Sequence, residues 1–197
     1  MTCHIWIIDT KKQIDIAEGG VAISIDLEGE NAQSLIGYRA KHHTDLIDLS
    51  KIAHYESLDY WEPIFARDGK NTLILNPEDF YILASKELVS VPQDYAAELV
   101  PYDPLMGEFR VHYAGFFDPG FGVKGVDSRG THAVLEVRSR DVPFVLEHEQ
   151  IVGRLVYEKM SESPDMLYGS GIGSSYSRQR LSLSKHFKRE NKESFKE

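Results

Sequence analysis

Phe116-Phe117-Asp118-Pro119-Gly120-Phe121-Gly122, Ala133-Val134-Leu135-Glu136-Val137 and Ile151-Val152-Gly153-Arg154-Leu155-Val156-Tyr157 together decide the fold. The first block is a turn packed with glycine and proline between apolar residues. In the second, Ala133, Leu135 and Val137 fall on one side of a strand, with Val134 and Glu136 on the other. Glu136 is then a carboxylate in mid-strand with apolar neighbours. Two readings stay open for it. It lies on a solvated sheet face, as most charged residues do, or it is paired, protonated or used, because burying a lone charge is costly.

Outward from this stretch the same rhythm persists. Leu73-Ile74-Leu75 and Phe80-Tyr81-Ile82-Leu83-Ala84 read as strands separated by the turn Asn76-Pro77-Glu78-Asp79, with Leu88-Val89-Ser90-Val91 after them. Pro92 to Leu99 suits a short helix, ended by Pro101-Tyr102-Asp103-Pro104. Phe109 to Phe117 reads as one further strand. Upstream, Ile5 to Ile8 and Val21 to Leu27 carry β patterns, the second introduced by Gly19-Gly20. Residues 31–71 are less regular: Gly37 to His43 and Tyr60-Trp61-Glu62-Pro63 suit loop or edge structure. His42 and His43 are adjacent, so their side chains diverge in a strand, and no further metal ligands accompany them. Short strands with turn residues between them predict a mostly β sandwich or barrel with few short helices. The chain divides into an N-terminal extension with the first strands (1–71), a β core (72–160) and a C-terminal arm with its tail (161–197).

The arm changes character. Gly169, Gly171 and Gly173, with Ser170, Ser174 and Ser175, lie between Tyr168 and Tyr176, and Leu181-Ser182-Leu183 resumes alternation. That pattern suits either a plain linker or, favoured by the resumed alternation, a mobile arm that docks, its glycines letting backbone amides approach phosphate oxygens. It is not a Walker A loop, since no Gly-Lys-Ser/Thr follows.

The net charge of −9 over 197 residues argues against a general nucleic-acid surface. From Arg178 to Glu197 seven Lys/Arg stand against three Glu, leaving an acidic body and a basic tail. That tail either neutralises a polyphosphate or is a solvated terminus, and beyond Phe187 the solvated terminus is expected. No apolar run approaches 18 residues, so no membrane span is expected. The single cysteine, Cys3, has no internal disulfide partner, which suits a cytoplasmic setting.

Asp118-Pro119-Gly120, the Leu135-Glu136 strand, the Ile151 to Leu155 segment, Tyr168 and Tyr176-Ser177-Arg178-Gln179 resemble the signature of the dCTP deaminases, of the dUTPase-like superfamily. The resemblance covers roughly residues 72–187 and is nearest to the C-terminal half of the long tandem form. It implies a distorted, jelly-roll-like β-barrel and hydrolytic deamination of dCTP to dUTP and ammonia, in a homotrimer or a pseudo-trimer with an N-terminal homologous half. A dUTP diphosphatase or bifunctional enzyme, and a non-catalytic nucleotide-binding subunit completing a partner's site, are the alternatives on the same scaffold.

Zinc deaminases use a His/Cys/Cys site with an H-x-E…P-C-x-x-C signature. One cysteine and no such signature exclude that route here. The resemblance implies instead that Glu136 acts as general base and then acid. Val134 would offer backbone groups to the cytosine edge, and Ala114 a main-chain contact near the attacking water. Asp118 would accept the 3′-hydroxyl, and the ring of Phe116 or Phe117 would exclude a 2′-hydroxyl. From the closing arm, Tyr168 and Ser175 would contact phosphates and Gln179 the pyrimidine or phosphate region, with Tyr176 beside them. Magnesium would arrive with the triphosphate, held by its oxygens and waters rather than by a protein site. The family's Ser-Ser-x-x-Arg element has no counterpart in Pro101-Tyr102-Asp103-Pro104-Leu105-Met106-Gly107, so a partner would supply the phosphate side.

Overall fold

Alternating apolar side chains build two antiparallel sheets that face each other across one core. The computed structural model describes residues 4–7, 12–15, 20–31, 33–101, 109–112, 115–123, 130–139, 141–168 and 181–189. In chain order the strands are β1 (His4–Ile7), β2 (Lys12–Asp15), β3 (Val21–Ser24), β4 (Leu35–Ala40), β5 (Trp61–Phe65), β6 (Thr72–Leu75) and β7 (Phe80–Val89). They continue as β8 (Tyr95–Pro101), β9 (Phe109–His112), β10 (Phe116–Phe117), β11 (Thr131–Ser139), β12 (Phe144–Glu147) and β13 (Ile151–Lys159). Among the described residues one short helix, α1 (Ser57–Tyr60), precedes β5.

The first sheet has the order β10-β8-β13-β3 and the second β5-β4-β7-β11-β9, with β1-β2 and β12-β6 as separate two-stranded pairs. Val21 and Ile23 of β3, Leu99 of β8 and Leu155 of β13 meet Leu83 of β7 and Leu135 and Val137 of β11 between the sheets. Leu135, Leu155 and Ile23 are fully buried, each burial stabilising by about 1.5–3 kcal/mol. Leu75 of β6 and Leu146 of β12 join the same core. The expected mostly β architecture is therefore present.

A second, smaller cluster covers the outward face of the five-stranded sheet. Tyr38, Ile82 and Ala84 are buried there beneath Leu181, with Trp61, Phe80, Val134 and Leu183 packed around them. Residues 181–189 come back onto this face and onto the loop before α1. The Ala53 N–H donates to Lys185 O at 3.0 Å, the His54 N–H to His186 O at 2.9 Å and the Lys188 N–H to Tyr55 O at 2.9 Å. The Phe187 ring lies 5.5 Å from Tyr60 and 6.3 Å from Trp61. Docking of the chain after the glycine-rich segment was the expected behaviour. It extends one residue past Phe187, where Lys188 pairs with Glu56.

Three local expectations are corrected. Pro92 to Leu99 is not a helix: Tyr95 onward forms β8, paired with β13 from Tyr95↔Lys159 to Pro101↔Gly153. Its alternating burial, with Ala97 and Leu99 inward, is a period of two. Phe109 to Phe117 is not one strand, because β9 pairs with β11 while β10 pairs with β8 in the other sheet. The stretch at Gly37-Tyr38-Arg39 is an internal strand, β4, between β5 and β7. Gly37 hides this in the sequence. A Cβ there would lie 2.5 Å from Leu83 Cδ2 and 2.8 Å from Ile82 O, so the close strand approach removes the apolar residue an alternation needs.

Candidate active site

Strand β11 presents its inner residues Ala133, Leu135, Val137 and Ser139 to the core and Val134, Glu136 and Arg138 to the outside. Glu136 stands opposite Ile82 of β7 and His112 of β9, so its backbone is held in a ladder on both sides. Its side chain is exposed on the outward face, in the same row as partly buried Val134. The Glu136 side chain therefore stands on the outer face of the sheet and not in the core. Arg138, next along the row, lies over the Phe80 ring at 4.8 Å.

The Asp118-Pro119-Gly120 turn is tied to the Thr131 end of β11. The Asp118 C=O accepts the Phe121 N–H at 3.0 Å, the Gly120 N–H donates to Val91 O at 3.0 Å, and the Val91 N–H donates to Phe121 O at 2.8 Å. Gly122 has φ +70°, and a Cβ there would meet Val89 O at 2.3 Å. Only glycine lets the turn approach β7 so closely. Val89 in turn pairs with Thr131.

Tyr168 closes the other side of this turn. Its N–H donates to Pro119 O at 2.9 Å and its ring sits 5.4 Å from Phe121. Asp118 is exposed and Phe116 is 77% exposed, whereas Phe117 is buried with its ring 4.9 Å from Phe121. Of the two phenylalanines, only Phe116 projects outward.

The structure thus brings Asp118 and Tyr168 together at one turn, and Val134 and Glu136 together on β11. Ala114, Ser175, Tyr176 and Gln179 lie outside the described residues. Among the described residues no group of three or more His, Cys, Asp or Glu side chains could hold a metal ion. No described helix is long and apolar enough to cross a membrane. His42, weighed in the sequence only as a metal ligand, has its Nε2 2.7 Å from Asp79 Oδ1. Ser85 and His132, which bond across the β7–β11 junction, carry no sequence signal, since their role exists only once the two strands are paired.

Comparison with known proteins matches the chain to a family. The family described as 2′-deoxycytidine 5′-triphosphate deaminase (DCD), C-terminal domain, matches residues 4–187. A dCTP deaminase, dUMP-forming, of Beutenbergia cavernae is 27% identical over 180 residues, covering 87% of this chain and 89% of that one. A dCTP deaminase, dUMP-forming, of Halobacterium salinarum is 32% identical over 122 residues, covering 60% of this chain and 57% of its own. Among solved structures, the 2′-deoxycytidine 5′-triphosphate deaminase from Agrobacterium tumefaciens matches with a TM-score of 0.67 and 63% identity. That match covers 72% of this chain but 42% of the Agrobacterium chain. With a β sandwich that carries Asp118-Pro119-Gly120 and Leu135-Glu136 and a family match over almost its whole length, the chain belongs to the dCTP deaminase family, as its C-terminal domain.

Proposed function

We propose that this domain deaminates dCTP hydrolytically, with the Glu136 carboxylate moving the protons. The observation that carries the reading is Glu136 itself: a carboxylate held by strand pairing on both sides, on an outward face, in a chain matching the family over residues 4–187. Water adds to C4 of the cytosine as Glu136 takes its proton. Glu136 returns that proton to N3, and after a second transfer the C4–N bond breaks and ammonia leaves. One water is consumed and one ammonia released. General acid–base transfer of this kind supplies on the order of 10²–10⁴-fold, and orientation and fixed dipoles supply more.

The other roles follow the family likeness. Val134 offers backbone groups to the pyrimidine and Ala114 a main-chain contact to the water. Asp118 accepts the 3′-hydroxyl while Phe116 excludes a 2′-hydroxyl. Tyr168, Ser175, Tyr176 and Gln179 come from the arm. Magnesium enters as part of the substrate, on the triphosphate oxygens. The chain supplies one side of the site, and a second copy or an amino-terminal homologous half supplies the phosphate side. The exposure of Glu136, Asp118 and Phe116 in the single chain supports this division.

A second reading has its own support. Both curated relatives above are named dUMP-forming, which favours a bifunctional enzyme that also releases diphosphate. Incubating the chain with dCTP and magnesium, alone and with an amino-terminal half, and following ammonia and pyrophosphate separates these. Ammonia alone, abolished by Glu136→Gln, supports a dUTP product. Ammonia with equal pyrophosphate supports dUMP. Nucleotide binding without turnover in either setting makes the chain a non-catalytic subunit.

A further inference from the structure

The ladder between β7 and β11 has one irregularity. Val134 stands opposite Ala84 and His132 opposite Leu88, so Ser85, Lys86 and Glu87 face Ala133 alone. A bulge of this kind leaves backbone groups without their ladder partners. The fully buried Ser85 side chain takes up two of them. Its Oγ accepts the Ala133 N–H at 2.8 Å and donates to Glu87 O at 2.8 Å.

The Ser85 carbonyl is taken as well, by His132 Nδ1 at 2.7 Å. A carbonyl only accepts, so Nδ1 carries the proton and the imidazole has a fixed orientation. Around this junction the Glu87 carboxylate accepts the Ser24 N–H at 2.9 Å and the Ser24 hydroxyl at 2.7 Å. The Asp26 N–H donates to Ala84 O at 3.1 Å. The bulge is therefore bonded from β3, β7 and β11 together. Beyond it the ladder is regular from Val134↔Ala84 to Arg138↔Phe80, with Glu136 in its middle.

We propose that Ser85 and His132 are positioning residues for Glu136: they lock the offset between β7 and β11 and so fix where the carboxylate stands. The proposal rests on the reading of Glu136 as the proton-transferring group. Without the Ser85 hydroxyl, the buried Ala133 N–H and the partly buried Glu87 carbonyl lose their partners. The strand then relieves them only by shifting or opening. Glu136 lies three residues downstream on the same rigid strand and moves with it. A displacement on the order of 1 Å at a catalytic group costs about 10²-fold.

The test compares Ser85→Ala, Ser85→Thr, His132→Phe and His132→Asn with the unaltered chain, in the setting where that chain releases ammonia from dCTP. Ser85→Ala is expected to lower kcat by about 10–100-fold with KM changed by less than about threefold. Ser85→Thr keeps the hydroxyl and recovers most of the loss. His132→Phe lowers kcat, and His132→Asn, which retains an N–H donor, lowers it less. Hydrogen exchange at the Ala133 amide accelerates in Ser85→Ala. Because Ser85 is buried and its variants can fail to fold, the partly exposed His132 pair carries the test independently. Unchanged kcat per folded chain in Ser85→Ala and His132→Phe, or unchanged exchange at Ala133, overturns the positioning role. A chain that neither binds nor deaminates dCTP in any setting overturns the reading of Glu136 instead.

Discussion

Asp79 shows how much a single side chain can gather on this sheet. Its carboxylate is almost wholly buried and accepts from His42 Nε2 at 2.7 Å and from Asn76 Nδ2 and the Tyr81 hydroxyl, each at 3.2 Å. Arg39 Nη1 lies 3.6 Å away. Burial alone pushes this carboxyl upward, but the hydrogen bonds from His42, Asn76 and Tyr81 and the charge of Arg39 outweigh it and hold it below the usual range. A depressed carboxylate contributes stability that is fully present above the unfolded value of about 3.9 and is lost as pH falls through the folded value. Asp79→Ala is therefore expected to cost about 1–3 kcal/mol near neutral pH. Urea titrations of variant and unaltered chain should converge as the pH drops below about 4. A gap that stays constant to acid pH shows that the carboxylate charge contributes nothing.

The elements divide by how local their cause is. β11 and β13 are legible because each alternates by itself and their inner residues fill one core. β8 is not. Tyr95-Ala96-Ala97-Glu98 carries alanines that suit a helix, and only the continuous pairing with β13 makes it a strand. The junction at Ser85 is less legible still, because a bulge belongs to two strands and neither sequence announces it. The docked segment 181–189 stands between these cases. Its alternation is visible in the sequence, but its receptor, Tyr55, Tyr60 and Trp61, falls in the less regular stretch 31–71. Phe187 is the anchor, 7% exposed and in contact with all three rings. Phe187→Ala is expected to cost up to about 3–5 kcal/mol of docking. Limited proteolysis should then cut between Leu181 and Arg189 several-fold faster while the sandwich survives. Equal cleavage rates sink the anchoring role. In β4, Gly37→Ala tests the close approach to β7. The Leu83 side chain can move, but the Ile82 carbonyl cannot, so a loss of about 1–3 kcal/mol is expected in thermal unfolding.

At the scale of the whole molecule, the proposed shared site rests on what one chain holds and lacks. It holds a rigid strand with Glu136, and a turn with Asp118 and Phe116, all open to solvent. Residues 101–107 contain no Ser-Ser-x-x-Arg element to bind phosphate, a lack that was plain in the sequence. The match takes in 72% of this chain and 42% of the Agrobacterium protein, so more than half of that relative lies outside it. A site completed by a second chain follows mass action, and its activity depends on how much of the complex is assembled. The charge of −9 opposes association between copies, and that repulsion is screened beyond about 8 Å at physiological salt. Ammonia release per chain is therefore expected to fall over a roughly hundredfold dilution and to recover on raising salt moderately or adding a separate amino-terminal half. Activity per chain that stays constant on dilution, with a monomeric mass by light scattering at the same concentrations, places the complete site within one chain. The phosphate would then be bound by residues other than the missing element.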